Sequence, residues 1–225
     1  MYPDSMRVNK FVAQSCNLSR RAADQAIKAG RITINGVKAL PGQIVTTQDE
    51  LKLDGVVLSP LELCTIMLHK PIGYIVSRNG QGKPTIYDLL PEQHQHLQPV
   101  GRLDKDSSGL LLLTNDGRLA QKLTHPSFNK IKCYAVSLNK PLQSADQLKL
   151  KYGVQLSDGI SHLQLAGSGK KWQVSLVEGR NRQIRRTFEQ VGYQVNDLHR
   201  TTFGPYELGK LAVGKWQTIK KTDII

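Results

Sequence analysis

The stretch Val100-Gly-Arg-Leu-Asp-Lys-Asp-Ser-Ser-Gly-Leu-Leu-Leu-Leu-Thr-Asn-Asp-Gly117 decides how the rest of the chain is read. Leu110 to Leu113 is the longest apolar run in the sequence. It has the length of a buried strand and falls far short of the ~20 residues that a membrane span needs. A loop ending at Gly109 leads into it, and Asn115-Asp116-Gly117 turns the chain after it. One carboxylate, Asp104, stands in that loop behind a short apolar approach. A reactive side chain on a loop anchored by a rigid strand is a common way to build an active site. The residues alone favour a plainer role, because an Asp beside Ser and Gly most often caps a turn.

Downstream, Tyr134, Val136 and Leu138 alternate as a half-buried strand, and so do Trp172, Val174 and Leu176. Ile184, Phe188 and Val191 fall on one helix face that stops at Gly192. Short strands with few crossover helices predict an α+β domain on a largely antiparallel mixed sheet. Upstream, Val8, Phe11 and Val12 form the stripe of a short helix, and Ser19 caps a second one that ends at Gly30. Ile32-Thr-Ile34 then runs into the hairpin turn Asn35-Gly36, and a second hairpin spans Glu50 to Leu58 through Asp54-Gly55. With Ser59-Pro60 as the boundary, the expected domains are residues 1–60 and 61–225.

Charge narrows the function. The chain of 225 residues carries 31 Lys and Arg against 18 Asp and Glu, a net +13. Between Met6 and Lys38, Arg7, Lys10, Arg20, Arg21, Lys28, Arg31 and Lys38 face a single acid, Asp24. Between Lys170 and Arg186, six basic residues face only Glu178. Two such clusters, distant in sequence, predict a surface that tracks a polyanion. Cys16, Cys64 and Cys133 are too scattered for a disulfide framework or a zinc site. Residues 1–6 lack the regions of a signal peptide, which predicts a cytoplasmic protein. His94-x-His96 reads as a solvent-exposed loop pair, and His125 and His199 as structural.

Two resemblances sharpen this. "RVNKFVAQSCNLSRRAADQAIKAGRITINGV" resembles the S4 domain, a small RNA-binding fold, through its Ser-Arg-Arg helix start, its Gly30-Arg31 stop and its Asn-Gly turn. That likeness implies an RNA surface built on Arg7, Lys10, Arg20, Arg21 and Arg31. Arg20 and Arg21 sit where free backbone N–H groups at a helix start can share a phosphate. "GRLDKDSSGLLLLTNDG", "LHKPIGYIVS" and "EGRNRQIRRTFEQVGYQVNDLHR" together resemble the S4-bearing pseudouridine synthases of bacterial ribosomal RNA. The likeness runs nearly end to end and in family order. Ser107-Ser108 and Thr187 depart from the usual residues, and Thr187 bears on packing behind the site.

What the resemblance implies is isomerisation of a specific uridine in ribosomal RNA, 23S favoured over 16S. Asp104 becomes the nucleophile, Tyr134 the platform over a flipped base and Arg180 the basic partner of Asp104. Arg102 would position the loop and Ile184 would floor the uracil, while Lys132, Arg182 and Arg185 would hold the substrate, with Lys130 near phosphate. No cofactor and no metal are expected. The expected partner of a monomeric, membrane-free protein is a structured rRNA stem-loop or a pre-ribosomal particle. Two other readings compete: a non-catalytic RNA-binding assembly factor, and a metal-dependent transferase using Asp104-x-Asp106. The first leaves Asp104, Tyr134 and Arg180 without a purpose, and the second lacks a nucleotide-binding αβ repeat.

Overall fold

The computed structural model describes residues 5–16, 18–59 and 61–219, so residues 1–4 of the N-terminal stretch and Pro60 of the expected boundary lie outside it. The chain divides into two compact units, Met1–Leu63 and Cys64–Ile225. In the smaller unit β1 (Ser5–Arg7) leads into α1 (Val8–Ser15) and α2 (Arg20–Lys28). Val8, Phe11 and Val12 are buried, as their spacing predicts, and Ser19 Oγ accepts from the Ala22 amide at 3.1 Å. Asn9 Nδ2 donates to Asp24 Oδ1 at 2.9 Å and ties the two helices together.

A four-stranded antiparallel sheet follows, from β2 (Ile32–Ile34), β3 (Val37–Lys38), β5 (Leu51–Leu53) and β6 (Val56–Val57) in the order β3-β2-β5-β6. Its hairpins turn at Asn35-Gly36 and Asp54-Gly55, where all four residues have positive φ. The sequence reading missed β4 (Ile44–Thr46), which pairs with β1. Strands of three residues are too short to show an alternation.

The larger unit is built on nine strands. They are β7 (Thr65–Lys70), β8 (Gln98–Val100), β9 (Ser108–Thr114), β10 (Lys132–Leu138), β13 (Gln164–Ser168), β14 (Lys171–Leu176), β15 (Val195–Phe203), β16 (Tyr206–Glu207) and β17 (Trp216–Thr218). The order is β13-β14-β10-β15-β9-β7-β17, with β8 beside β9 and β16 beside β15. A two-stranded ribbon, β11 (Val154–Leu156) with β12 (Gly159–Ser161), stands apart. The four leucines are unbroken because β9 is buried on both faces. Leu111 and Leu113 enter one core with Ile66 and Phe188, while Leu110 and Leu112 enter another with Val100 and Phe203.

Of the helices here, only α5 (Gln183–Gln190) was legible, from Ile184 and Phe188. Asn115-Asp116-Gly117 does more than turn the chain, because Asp116 caps α3 (Gly117–Thr124) by accepting from the Arg118 and Leu119 amides. A glycine in the first helical position hid that start. The remaining helix, α4 (Ser144–Tyr152), buries only Leu150 and so offers no stripe to read.

All pairings in the large sheet are antiparallel except one, the short parallel contact of β15 with β9, where His199 faces Ser108 and Arg200 faces Gly109. Gly109 has φ +106, and a Cβ there would lie 2.2 Å from the Arg200 carbonyl oxygen and 2.6 Å from its nitrogen. Only glycine permits this approach. Gly109→Ala is therefore expected to destabilise the large unit by roughly 2–4 kcal/mol in denaturant titration, through strained backbone and forced separation of two central strands. A loss below about 0.5 kcal/mol would contradict that account.

Candidate active site

Asp104 lies in the loop between β8 and β9, with its backbone carbonyl accepting from the Ser107 amide at 3.1 Å. That bond belongs to the backbone, and the side chain is 31% exposed. Its ion-pair neighbour is Arg182, whose Nη1 stands 3.5 Å from Asp104 Oδ2. Arg182 occupies the left-handed region, φ 47 and ψ 30, as the cap residue of α5. Its fork closes on Asp106, Nη1 to Oδ1 and Nη2 to Oδ2, both at 2.9 Å. That bond holds the Asp106 carboxyl below the usual carboxylate range and pushes the Arg182 guanidinium up. Both Asp106 oxygens are thereby occupied, which leaves the Asp-x-Asp pair ill suited to grip a metal ion.

Beneath the loop lies Lys70, a residue of the LHKPIGYIVS stretch to which its pattern assigned no role. Lys70, at the end of β7, is fully buried and donates to the carbonyls of Ser107 at 2.7 Å and Pro71 at 2.9 Å. Burial lowers its pKa from 10.5 to about 8, against the opposing pull of Asp104 and Asp106. A buried ammonium thus pins the backbone on which Asp104 stands. The period-2 pattern of a strand carries no sign that a lysine points inward, so the signal was the charge itself at the end of β7.

A cleft of about 300 Å³ opens beside the loop. Asp104 lines it together with Tyr134, Ile184 and five cationic side chains, Arg102, Lys132, Arg180, Arg182 and Arg200. Tyr134 sits on β10 directly opposite Arg200 of β15. Lys132 Nζ donates to the Val177 carbonyl at 3.1 Å, and Ile184 comes from the first turn of α5. Arg200, the last residue of the EGRNRQIRRTFEQVGYQVNDLHR stretch, was given no role, because charged residues in strands normally face outward.

Two placements differ from the sequence reading. Arg180 was expected beside Asp104, but its guanidinium is spent on Asp158 Oδ1 at 2.9 Å, on Glu178 and on the carbonyls of Asp158, Gly159 and Ile160. The left-handed turn at Arg182 brings that residue to Asp104 instead. Arg185, expected to hold substrate, points inward, with Nη1 on the Val195 carbonyl at 2.7 Å and Nη2 on the Asp106 carbonyl at 2.8 Å. It braces the loop from behind. Thr187, the departure noted in the sequence, is fully buried and donates to the Gln183 carbonyl at 2.7 Å. Its hydroxyl also bonds Ser161, which accepts from Gln183 Nε2, so the polar group behind Ile184 is satisfied. His94 is not a free loop residue, since it packs edge-on against Trp216 at 4.5 Å.

In the smaller unit, Arg7, Arg20, Arg21 and Arg31 are exposed and Lys10 is half-buried. Arg31 is paired with Asp54 through a two-pronged contact.

The large unit matches the RNA pseudouridylate synthase family over residues 65–190, and the small unit matches the S4 domain over residues 6–51. The chain belongs to the RNA pseudouridylate synthase family. One relative is an RNA pseudouridine synthase of Aquifex aeolicus, 31% identical over 97% of this chain and 92% of its own length. The ribosomal large subunit pseudouridine synthase B of Bacillus subtilis is 36% identical over 92% and 89%. The dual-specificity RNA pseudouridine synthase RluF of Escherichia coli is 33% identical over 100% and 79%. A crystal structure of a pseudouridylate synthase superposes with a TM-score of 0.71 at 29% identity, covering 97% of this chain and 98% of that one. This synthase contains no helix among its described residues that is long and apolar enough to cross a membrane.

The placement of Lys70 has a pH signature. Folding disfavours its charged form, so between about pH 8 and 10.5 the unfolded chain binds more protons and stability rises with pH. Comparing wild type with Lys70→Met isolates this group. The stability difference is expected to grow in favour of wild type across that window, by up to about 3 kcal/mol. A difference that stays flat with pH would contradict the buried ammonium.

Proposed function

We propose that the protein converts a specific uridine of ribosomal RNA to pseudouridine, with large-subunit RNA as its substrate and Asp104 as the nucleophile. One observation carries the reading: Asp104 is the only carboxylate among the described residues lining a cleft rich in cations. A glycoside hydrolase needs two carboxylates, one to protonate the leaving group and one to deliver water or attack. An isomerase needs one, because uracil is both the leaving group and the returning nucleophile. The large-subunit preference rests on relatives such as the Bacillus subtilis enzyme, whose name states that substrate.

The remaining side chains fit the same reaction. The base must leave its stack, at a cost of a few kcal/mol unless it is already unpaired. Stacking on Tyr134 returns roughly 1–3 kcal/mol, and Ile184 supplies the apolar floor. Arg102, Lys132 and Arg182 hold the displaced backbone, and Arg182 also gives Asp104 a cation at 3.5 Å. Arg180 shapes the wall between Asp158 and Glu178. Arg7, Lys10, Arg20, Arg21 and Arg31 of the S4 unit dock the surrounding RNA through its phosphates. The protein acts as a monomer without cofactor.

The test is tritium release from RNA labelled at uridine C5, which reports the last proton lost. Asp104→Asn is nearly isosteric, and its backbone still serves the turn to Ser107, but it cannot act as an anionic nucleophile. Release is expected to fall by about 10⁴-fold or more, with melting temperature and RNA affinity close to wild type. Release near the wild-type rate would contradict the proposed chemistry.

A further inference from the structure

Arg200 is among the largest fully buried side chains of the protein, at 2% exposure, yet its hydrogen bonding is incomplete. Nε donates to the Leu110 carbonyl at 2.8 Å, and the guanidinium carbon lies 4.9 Å from the centre of the Phe203 ring. Nη2 is buried with no hydrogen-bond partner among the described residues, and no carboxylate among them is ion-paired to this arginine. A buried guanidinium N–H left unmade is costly, and one beside a cleft can be satisfied by an acceptor on the molecule that fills it. The position is also rigid. Arg200 sits at the parallel junction with Gly109, opposite Tyr134, so its side chain shares the cleft face of the sheet with the proposed base platform.

We infer that Arg200 is a catalytic residue that donates from Nη2 to a uracil carbonyl oxygen and stabilises the negative charge the ring acquires during isomerisation. This rests on the function proposed above. When the N1–C1′ bond breaks, its electron pair stays with the base, and uracil becomes an anion delocalised over N1, O2 and O4. C1′ is taken by an Asp104 oxygen, so the carboxylate charge passes to the base and the total is unchanged. After the ring turns, C5 attacks C1′ and expels the Asp104 carboxylate. The proton at C5 is then lost and N1 gains one, giving neutral pseudouridine. If Asp104 instead removes the C2′ proton, the same uracil anion leaves. If Asp104 adds to C6, charge moves to O4 of the ring. Every route places charge on the base oxygens, where a preorganised donor in a dry site is most effective.

Lys132 reinforces the field. Its Nζ stands 5.3 Å from the same Phe203 ring, and burial followed by the charge of Arg200 lowers its pKa. Two cations crowd one side of the cleft, and the anion formed in the reaction relieves their repulsion.

The experiment compares wild type, Arg200→Gln and Arg200→Lys in single turnovers on rRNA containing either uridine or 5-fluorouridine. Tritium release reports the first, and mass spectrometry of digested RNA reports loss of 5-fluorouridine in the second. Fluorine at C5 makes uracil a more stable anion, so help from Arg200 matters less. Arg200→Gln is expected to slow the uridine reaction by about 10²–10³-fold, with RNA affinity within about threefold of wild type. Its loss on 5-fluorouridine is expected to be at least about tenfold smaller, and Arg200→Lys, which keeps the charge, to fall between. If Arg200→Gln does not fold, Arg200→Lys carries the same comparison of the two bases. Equal losses on both bases, or a loss explained by weaker RNA binding, would overturn the assignment of Arg200 alone. A wild type that releases no tritium would overturn the proposed function and this inference with it.

Discussion

The parallel contact between Gly109 and Arg200 is the constraint on which the site depends. Elsewhere the sheet is antiparallel. At this one place β9 and β15 approach closely enough that no side chain fits on Gly109. The loop bearing Asp104 enters β9 there, and Arg200 leaves the same contact towards the cleft. The loop of the proposed nucleophile and the proposed charge-stabilising guanidinium are thereby joined through paired backbone. Such preorganisation is what makes a fixed charge useful in a transition state.

Around that joint the loop is held by cations from three sides. Lys70 grips the Ser107 carbonyl from below, Arg185 grips the Asp106 carbonyl from behind, and Arg182 closes on the Asp106 carboxylate from the cleft. Asp106 therefore takes both arms of Arg182 and leaves Asp104 with the longer contact of 3.5 Å. This arrangement separates two acids that are indistinguishable by composition: one is spent on structure, and the other stays open to the cleft.

The elements that were legible in the sequence are those whose pattern survives without tertiary context. Asn35-Gly36 and Asp54-Gly55 favour hairpins by their backbone preferences, and Leu110 to Leu113 has the length of a buried strand. Asp104, Tyr134, Ile184, Arg180, Arg182 and Arg185 were named through the resemblance of their motifs, and the cleft gathers all of these but Arg185. Spacing could not say which arginine meets which carboxylate, because a single left-handed residue, Arg182, redirects the chain just before the helix. Arg200 and Lys70 were illegible for the opposite reason. Charged residues in strands are normally outward, and only the assembled sheet reveals that these two face in.

The proposed isomerisation of a ribosomal RNA uridine is tested most directly in the cell. Pseudouridines are mapped across ribosomal RNA from cells with the gene, without it, and with it restored. One or a few positions in the large-subunit RNA are expected to lose pseudouridine on deletion and regain it on restoration, while the small-subunit map stays constant. Identical maps in all three strains would contradict it.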